Sequence, residues 1–91
     1  MSKRIVRHFP IQIKRLNEKA IIPTHGSAAA AGYDLYACLE YPVFLKPHET
    51  VKIGTGLAMA IPHNCWGGIY PRSGLATKMG LRPANCTGVI D

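Results

Sequence analysis

Acidic residues, aromatics and long apolar runs are all scarce in this sequence, and each scarcity narrows what the chain can be. Five Asp and Glu stand against eleven Lys and Arg, giving a formal net charge of +6. Aromatic residues make up 8% of the chain, too few to interleave with the basic side chains as a stacking platform for single-stranded nucleic acid does. No apolar run approaches the roughly 20 residues that a membrane-spanning helix needs, and no charged-then-apolar leader opens the chain. Cys38, Cys65 and Cys86 are odd in number and lie 27 and 21 residues apart, which fits neither a zinc site nor a redox pair. His8, His25, His48 and His63 include no pair at helical i, i+4 spacing, so a histidine metal site is not expected. There is no internal repeat and no low-complexity tract. These absences predict a cytoplasmic chain, or one in an equivalent reducing nuclear or viral setting, without membrane association.

What is present is a foldable chain. At 91 residues and 47% hydrophobic, it has room for one domain with a small core. The basic charge is concentrated at the start, where Lys3, Arg4, Arg7, Lys14, Arg15 and Lys19 accompany one acid, Glu18. Residues 1–10 therefore read as a basic, loosely ordered leader, and 11–91 as the folded domain. Phe9 is the leader's one aromatic, so a solvated arm is the better reading and nucleic acid is not an expected partner. Residues 11–16 alternate apolar and polar as a half-buried strand does. Residues 20–23, 33–38 and 41–45 read as further extended segments, and 50–61 as the longest, interrupted by Gly54 and Gly56. Residues 65–70 and 88–91 complete the set. Residues 75–79 form the one short helix, with Ser73 as N-cap and Gly80 as its stop. Short strands with turns every eight to twelve residues predict an all-β sandwich or barrel.

Three stretches concentrate the chemistry. In Tyr70-Pro71-Arg72-Ser73-Gly74-Leu75-Ala76, Pro71 fixes its own φ and biases Tyr70 toward an extended conformation. Arg72 can grip a phosphate or carboxylate with two parallel hydrogen bonds. Ser73 adds a hydroxyl, and Gly74 lets a ligand approach the backbone. A helix opening there contributes unpaired N–H groups and partial positive charge. Alone, such a turn is an ordinary surface feature. Ala31-Gly32-Tyr33-Asp34-Leu35-Tyr36-Ala37 holds one of the five acids inside an otherwise apolar segment. Asp34 is then either a structural ion-pair partner for Arg72 or another base, or a group beside a metal. Asn85-Cys86-Thr87-Gly88-Val89-Ile90-Asp91 ends on a second carboxylate, either a solvated strand end or a general base held near a water. Asn85 can mark a hairpin, and its amide can read the edge of a planar base. An anion-gripping turn, two carboxylates and a polar hairpin suit a nucleoside triphosphate bound with Mg²⁺, since phosphoryl chemistry needs chiefly positioning and charge neutralisation.

A-G-Y-D-L-Y-A at Ala31 to Ala37, P-R-S-G-L-A at Pro71 to Ala76 and N-x-x-G-V-I-D at Asn85 to Asp91 resemble the first three signature motifs of the trimeric dUTPases. They appear in family order with family-like spacing, and the resemblance runs from about Ile11 onward. It implies an Mg²⁺-dependent dUTP diphosphatase that makes dUMP and pyrophosphate, supplying dUMP and keeping uracil out of DNA. It implies a homotrimer of jelly-roll-like, distorted β-barrel subunits. Carried over residue by residue, it implies that Asp91 activates the attacking water and contacts the deoxyribose. Arg72, Ser73 and Gly74 then bind phosphates, while Asn85, Gly88, Val89 and Ile90 belong to the hairpin that reads uracil. Asp34 corresponds to the acid that supports the metal–triphosphate complex through water.

The family continues past its third motif with a Tyr-Arg-Gly segment, whose tyrosine packs on the deoxyribose and helps reject ribose. A fourth motif follows, then a glycine-rich fifth that closes over the phosphates. None of these lies within the 91 residues, so the fold is expected to be incomplete at its C-terminal side. The 91 residues by themselves are expected to turn over dUTP weakly or not at all. Two other classes compete. The dCTP deaminases share the fold, although Tyr-Asp-Leu-Tyr and Pro-Arg-Ser-Gly-Leu-Ala favour the dUTPases. A non-catalytic nucleotide- or nucleic-acid-binding module would instead use the basic arm and a partial sheet.

Overall fold

A computed structural model describes residues 10–91 of the chain. The basic leader expected over residues 1–10 lies outside the described residues, Pro10 excepted. The elements are β1 (Gln12–Arg15), β2 (Leu57–Ala60), β3 (Gly67–Ile69), α1 (Ser73–Met79) and β4 (Gly88–Ile90). Strands predominate and the helix is short, in keeping with an all-β chain. Among the described residues β1 pairs with β2 and β3 with β4, as two separate two-stranded sheets and not a closed barrel. The described residues divide into two compact units, Ile13–Met59 and Ala60–Asp91, the latter together with residues 10–12.

In the first unit the alternation expected of residues 11–16 is realised in β1, where Ile13 is half-buried between exposed Gln12 and Lys14. β2 alternates likewise, with Leu57 and Met59 half-buried and Ala58 and Ala60 exposed. The Leu16 N–H donates to the Gly56 carbonyl at 2.8 Å, setting the end of β1 against the start of β2 as antiparallel strands require. The long strand expected over 50–61 is confined to β2, which opens directly after Gly56, whose φ of +69° is left-handed. Residues 33–38, also expected as a strand, form an isolated antiparallel bridge between Asp34 and Thr24. Residues 20–23 and 41–45 form no strand. Pro23 and Pro42 have no N–H to give a ladder, and apolar alternation reports exposure but not the presence of a partner.

In the second unit the register is Gly67↔Ile90, Gly68↔Val89 and Ile69↔Gly88. Every pair sets a glycine opposite a β-branched side chain. Glycine is a poor strand former, and the facing residue fills the space it leaves. A Cβ on Gly67 would lie 3.3 Å from Ile90 Cβ and from Ile61 Cδ1, and one on Gly88 would lie 3.3 Å from Ile69 Cβ. Between the two strands runs α1. Its N-cap is Arg72, extended at φ −78°, ψ 128° and making no side-chain capping bond. Ser73, expected in that role, is already helical, and its carbonyl accepts a bond from Thr77 Oγ1 at 2.8 Å. Gly80 is the stop that the sequence indicates. At φ 64° its N–H reaches the Ala76 carbonyl at 3.1 Å, and the Leu81 N–H reaches that of Leu75 at 3.0 Å.

The core is smaller than a 47% hydrophobic composition suggests. Ala20 is the buried hydrophobic residue among those described, while Phe44 is 88% and Tyr41 74% exposed. A two-stranded ribbon has no second layer of its own to cover an apolar face. In the Ile13–Met59 unit the chain packs closely at Gly56, where a Cβ would lie 3.0 Å from Ala20 Cβ and 3.1 Å from Cys38 Sγ. Gly54, two residues earlier, has nothing within 4 Å of the same position. Gly56→Ala is therefore expected to destabilise the protein by about 1–3 kcal/mol through strain and crowding. Gly54→Ala should stay within about 0.5 kcal/mol of wild type. Urea denaturation followed by circular dichroism separates the two.

Candidate functional site

Arg72, Ser73, Gly74, Asn85, Gly88, Val89, Ile90 and Asp91 all fall in the Ala60–Asp91 unit, and Asp34 falls in the Ile13–Met59 unit. Within the former, strand register decides which residues meet. Ile69 closes β3 opposite Gly88, which opens β4. The chain therefore departs toward Arg72 at the same end at which it arrives from Asn85. Asp91 leaves beyond the Gly67↔Ile90 pair, at the other end, about 10 Å from Gly88 at the usual rise of an antiparallel strand. The ladder thus brings the phosphate-type turn and Asn85 to one end and carries the candidate base to the other.

At the first end stand residue types that are able to hold an anion. Arg72 is exposed behind half-buried Pro71, and its carbonyl accepts the first helical bond, from the Ala76 N–H at 2.9 Å. The N–H groups of Ser73, Gly74 and Leu75 precede that bond and have no acceptor within the helix. A Cβ on Gly74 would meet nothing within 4 Å, so the backbone there is open to close approach. A guanidinium, a hydroxyl and main-chain donors are the groups that hold phosphate oxygens.

Asn85 lies in a tight turn. The Cys86 N–H donates to the Pro83 carbonyl at 3.0 Å and the Thr87 N–H to that of Asn85 at 2.6 Å, with Cys86 left-handed at φ 62°. Arg82 Nη1 donates to Cys86 Sγ across the turn. The hairpin expected at Asn85 is, among the described residues, this turn leading into β4, whose strand partner is β3. A left-handed cysteine is uncommon, and nothing in the local composition flags it.

Asp34 is half-buried and framed by residues that the sequence marks only as a loop. Its N–H donates to the Thr24 carbonyl at 2.7 Å. Thr24 Oγ1 and Tyr36 Oη share a hydrogen bond of 2.7 Å, and His25 Nδ1 lies 3.0 Å from the Gly32 carbonyl. The His25 and Tyr33 rings stack with centroids 4.0 Å apart. Thr24 is the residue that sequence reasoning passed over. The available signal was two hydrogen-bonding, strand-favouring residues, Thr24 and Tyr36, on either side of a glycine-containing turn. Among the described residues, no group of three or more His, Cys, Asp or Glu is placed to hold a metal ion, and no helix is long and apolar enough to cross a membrane.

The sequence model of the dUTPase family matches residues 18–91, taking in all of these residues. The chain belongs to the dUTPase family. Over 86 residues it is 46% identical to a deoxyuridine 5'-triphosphate nucleotidohydrolase of Syntrophotalea carbinolica, covering 94% of this chain and 58% of that protein. It is 44% identical over 82 residues to the enzyme of that name from Nocardia farcinica, covering 90% and 48% of the two chains. With the human mitochondrial deoxyuridine 5'-triphosphate nucleotidohydrolase it shares 46% identity over 81 residues, covering 89% and 31%. The chain spans about half the length of the curated relatives it matches.

A Cβ on Gly88 would lie 3.3 Å from Ile69 Cβ and in ordinary contact, 3.4 Å, with Asn85 Nδ2. Gly88→Ala is expected to cost about 1 kcal/mol through its crowding of Ile69. A urea titration followed by circular dichroism reads the loss.

Proposed function

We propose that this chain contributes phosphate-binding, base-reading and catalytic residues to a dUTP diphosphatase, which hydrolyses dUTP to dUMP and pyrophosphate. The observation that supports the reading is that β3–β4 pairing sets the exit toward Arg72, Ser73 and Gly74 at the same end of the ladder as the approach from Asn85, with open backbone at Gly74, in a chain of the dUTPase family. Arg72, Ser73 and Gly74 hold the phosphates by charge-assisted and main-chain hydrogen bonds. Asn85 and the main chain of Gly88, Val89 and Ile90 read uracil, whose donor and acceptor pattern is the reverse of cytosine's at the same ring edge. Asp91 takes the proton of the attacking water as general base and contacts the deoxyribose.

Mg²⁺ fits this arrangement on the chemistry of its donors. The ion favours oxygen ligands and is commonly held by substrate phosphates, water and one or two carboxylates, not by an all-protein cage. Asp34 offers such a carboxylate and supports the metal–triphosphate complex through water. Bound there, Mg²⁺ supplies neutralisation and orientation of the phosphates. The reading also takes residues 11–91 as a single domain of jelly-roll-like, distorted-barrel type that assembles as a homotrimer in the cytoplasm. Exposed apolar side chains such as Phe44 and Tyr41 support such an assembly, since surfaces of that kind mark contacts with other protein.

Calorimetric titration with dUTP and dCTP in Mg²⁺, paired with an assay of pyrophosphate release, tests the proposal. Tighter binding of dUTP by at least about tenfold is expected, because mispaired polar groups in a base-reading site are costly. Arg72→Ala should weaken dUTP binding by about ten- to a hundredfold. Asp91→Asn should remove whatever weak pyrophosphate release the 91 residues support, with little change in affinity. Equal affinity for the two nucleotides would overturn the uracil-specific reading.

A further inference from the structure

We propose that Thr24 is a positioning residue for Asp34, acting through a clamp that closes on both sides of the acid; the inference rests on the reading of Asp34 as the support of the metal–triphosphate complex. On one side the Thr24 carbonyl accepts the Asp34 N–H at 2.7 Å, and this is an isolated bridge with no strand ladder around it. Two residues on, the Thr24 hydroxyl meets Tyr36 Oη at 2.7 Å. The next residue, His25, reaches back to the Gly32 carbonyl and stacks on Tyr33. Residues 24 and 25 therefore hold positions 32, 33, 34 and 36. The third residue of the segment is Gly26, and a Cβ there would lie 3.4 Å from Asp34 Oδ2. The carboxylate thus rests against a stretch of backbone that carries no side chain.

The physical need for such a clamp follows from the missing ladder. In a continuous sheet, neighbouring strand bonds fix the backbone of each residue, and an acid's direction comes with the register. Asp34 is tied to Thr24 by an isolated bridge with no ladder on either side of it, so the adjacent Thr24–Tyr36 hydroxyl pair adds to the fixing of the same short stretch. A carboxylate that acts on a metal through water depends on orientation within about half an ångström, and groups that orient such a carboxylate rank close to the ligands in importance. Thr24 and Tyr36 touch neither metal nor substrate in this scheme. They determine where the Asp34 carboxylate is held.

The test is the Mg²⁺-dependent part of nucleotide affinity, with a non-hydrolysable α,β-imido analogue of dUTP titrated with and without Mg²⁺. Thr24→Val and Tyr36→Phe are expected to reduce the Mg²⁺-dependent gain in affinity about five- to tenfold while leaving metal-free affinity unchanged. Thr24→Ser, which keeps the hydroxyl, should restore the gain to within about twofold of wild type, and the Thr24→Val/Tyr36→Phe double variant should be no worse than either single change. In protein free of nucleotide and metal, amide hydrogen exchange at Asp34 should quicken about tenfold in both single variants. Variants that respond to Mg²⁺ as wild type does, while Asp34→Asn loses the response, overturn the clamp and leave the role of Asp34 standing. An equal loss of affinity with and without Mg²⁺ shows a merely structural role and also overturns it. Asp34→Asn or wild-type protein with no Mg²⁺-dependent difference overturns the role of Asp34 and the clamp with it. Unchanged exchange at Asp34 in Tyr36→Phe overturns the clamp whatever the nucleotide does.

Discussion

The constraint on which the candidate site depends is the complementarity between glycine and β-branched residues across β3 and β4. Gly67, Gly68 and Gly88 each face Ile90, Val89 or Ile69, and no side chain larger than hydrogen fits beside Ile61 and Ile90 at Gly67 without displacement. A slip of one residue sets Gly68 against Gly88 in one direction and Ile69 against Val89 in the other, and turns one strand's side chains to the opposite face. The register is therefore fixed by volume. Because the pairing is antiparallel, the exit toward Arg72 and the approach from Asn85 share one end of the ladder, and Asp91 leaves by the other.

A second, weaker device operates around Asp34. There the backbone forms one bridge and no ladder, and side chains take over what a sheet would do. Exposed hydrogen bonds are each worth only about 1 kcal/mol. Their value at Thr24 and Tyr36 lies in direction, because both fix the same short stretch. The contrast between the two regions is instructive: one is ordered by packing volume, the other by a few polar contacts. Ordering of the second kind is easily loosened.

The apolar surface belongs to the same picture. Two-stranded ribbons are marginal in water without a further layer, and residues such as Phe44, Tyr41 and Met79 remain exposed. The dUTPase-family relatives are about twice as long, and a longer chain has more material with which to build layers. The helix illustrates the difference between local and tertiary control. α1 starts after an extended Arg72 and ends at a left-handed Gly80 with Lys78 in its last turn, all through local chemistry, yet it contains no buried residue.

The sequence by itself determined several local events and the family. Alternation marked β1, Gly80 marked the helix end, and three motifs in order marked the family. These are legible because φ preference, donor chemistry and motif spacing are properties of neighbouring residues. The tertiary structure alone decided partners. It made a bridge and not a strand of Asp34, brought in Thr24, and stopped the long 50–61 segment at Gly56. It moved the helix start so that Arg72, not Ser73, occupies the cap, and set the exit toward Arg72 and the approach from Asn85 at one end of the β3–β4 ladder, with Asp91 beyond the other. Pairing joins residues twenty or more positions apart, and no pattern within either segment states which partner, or which register, the other will offer.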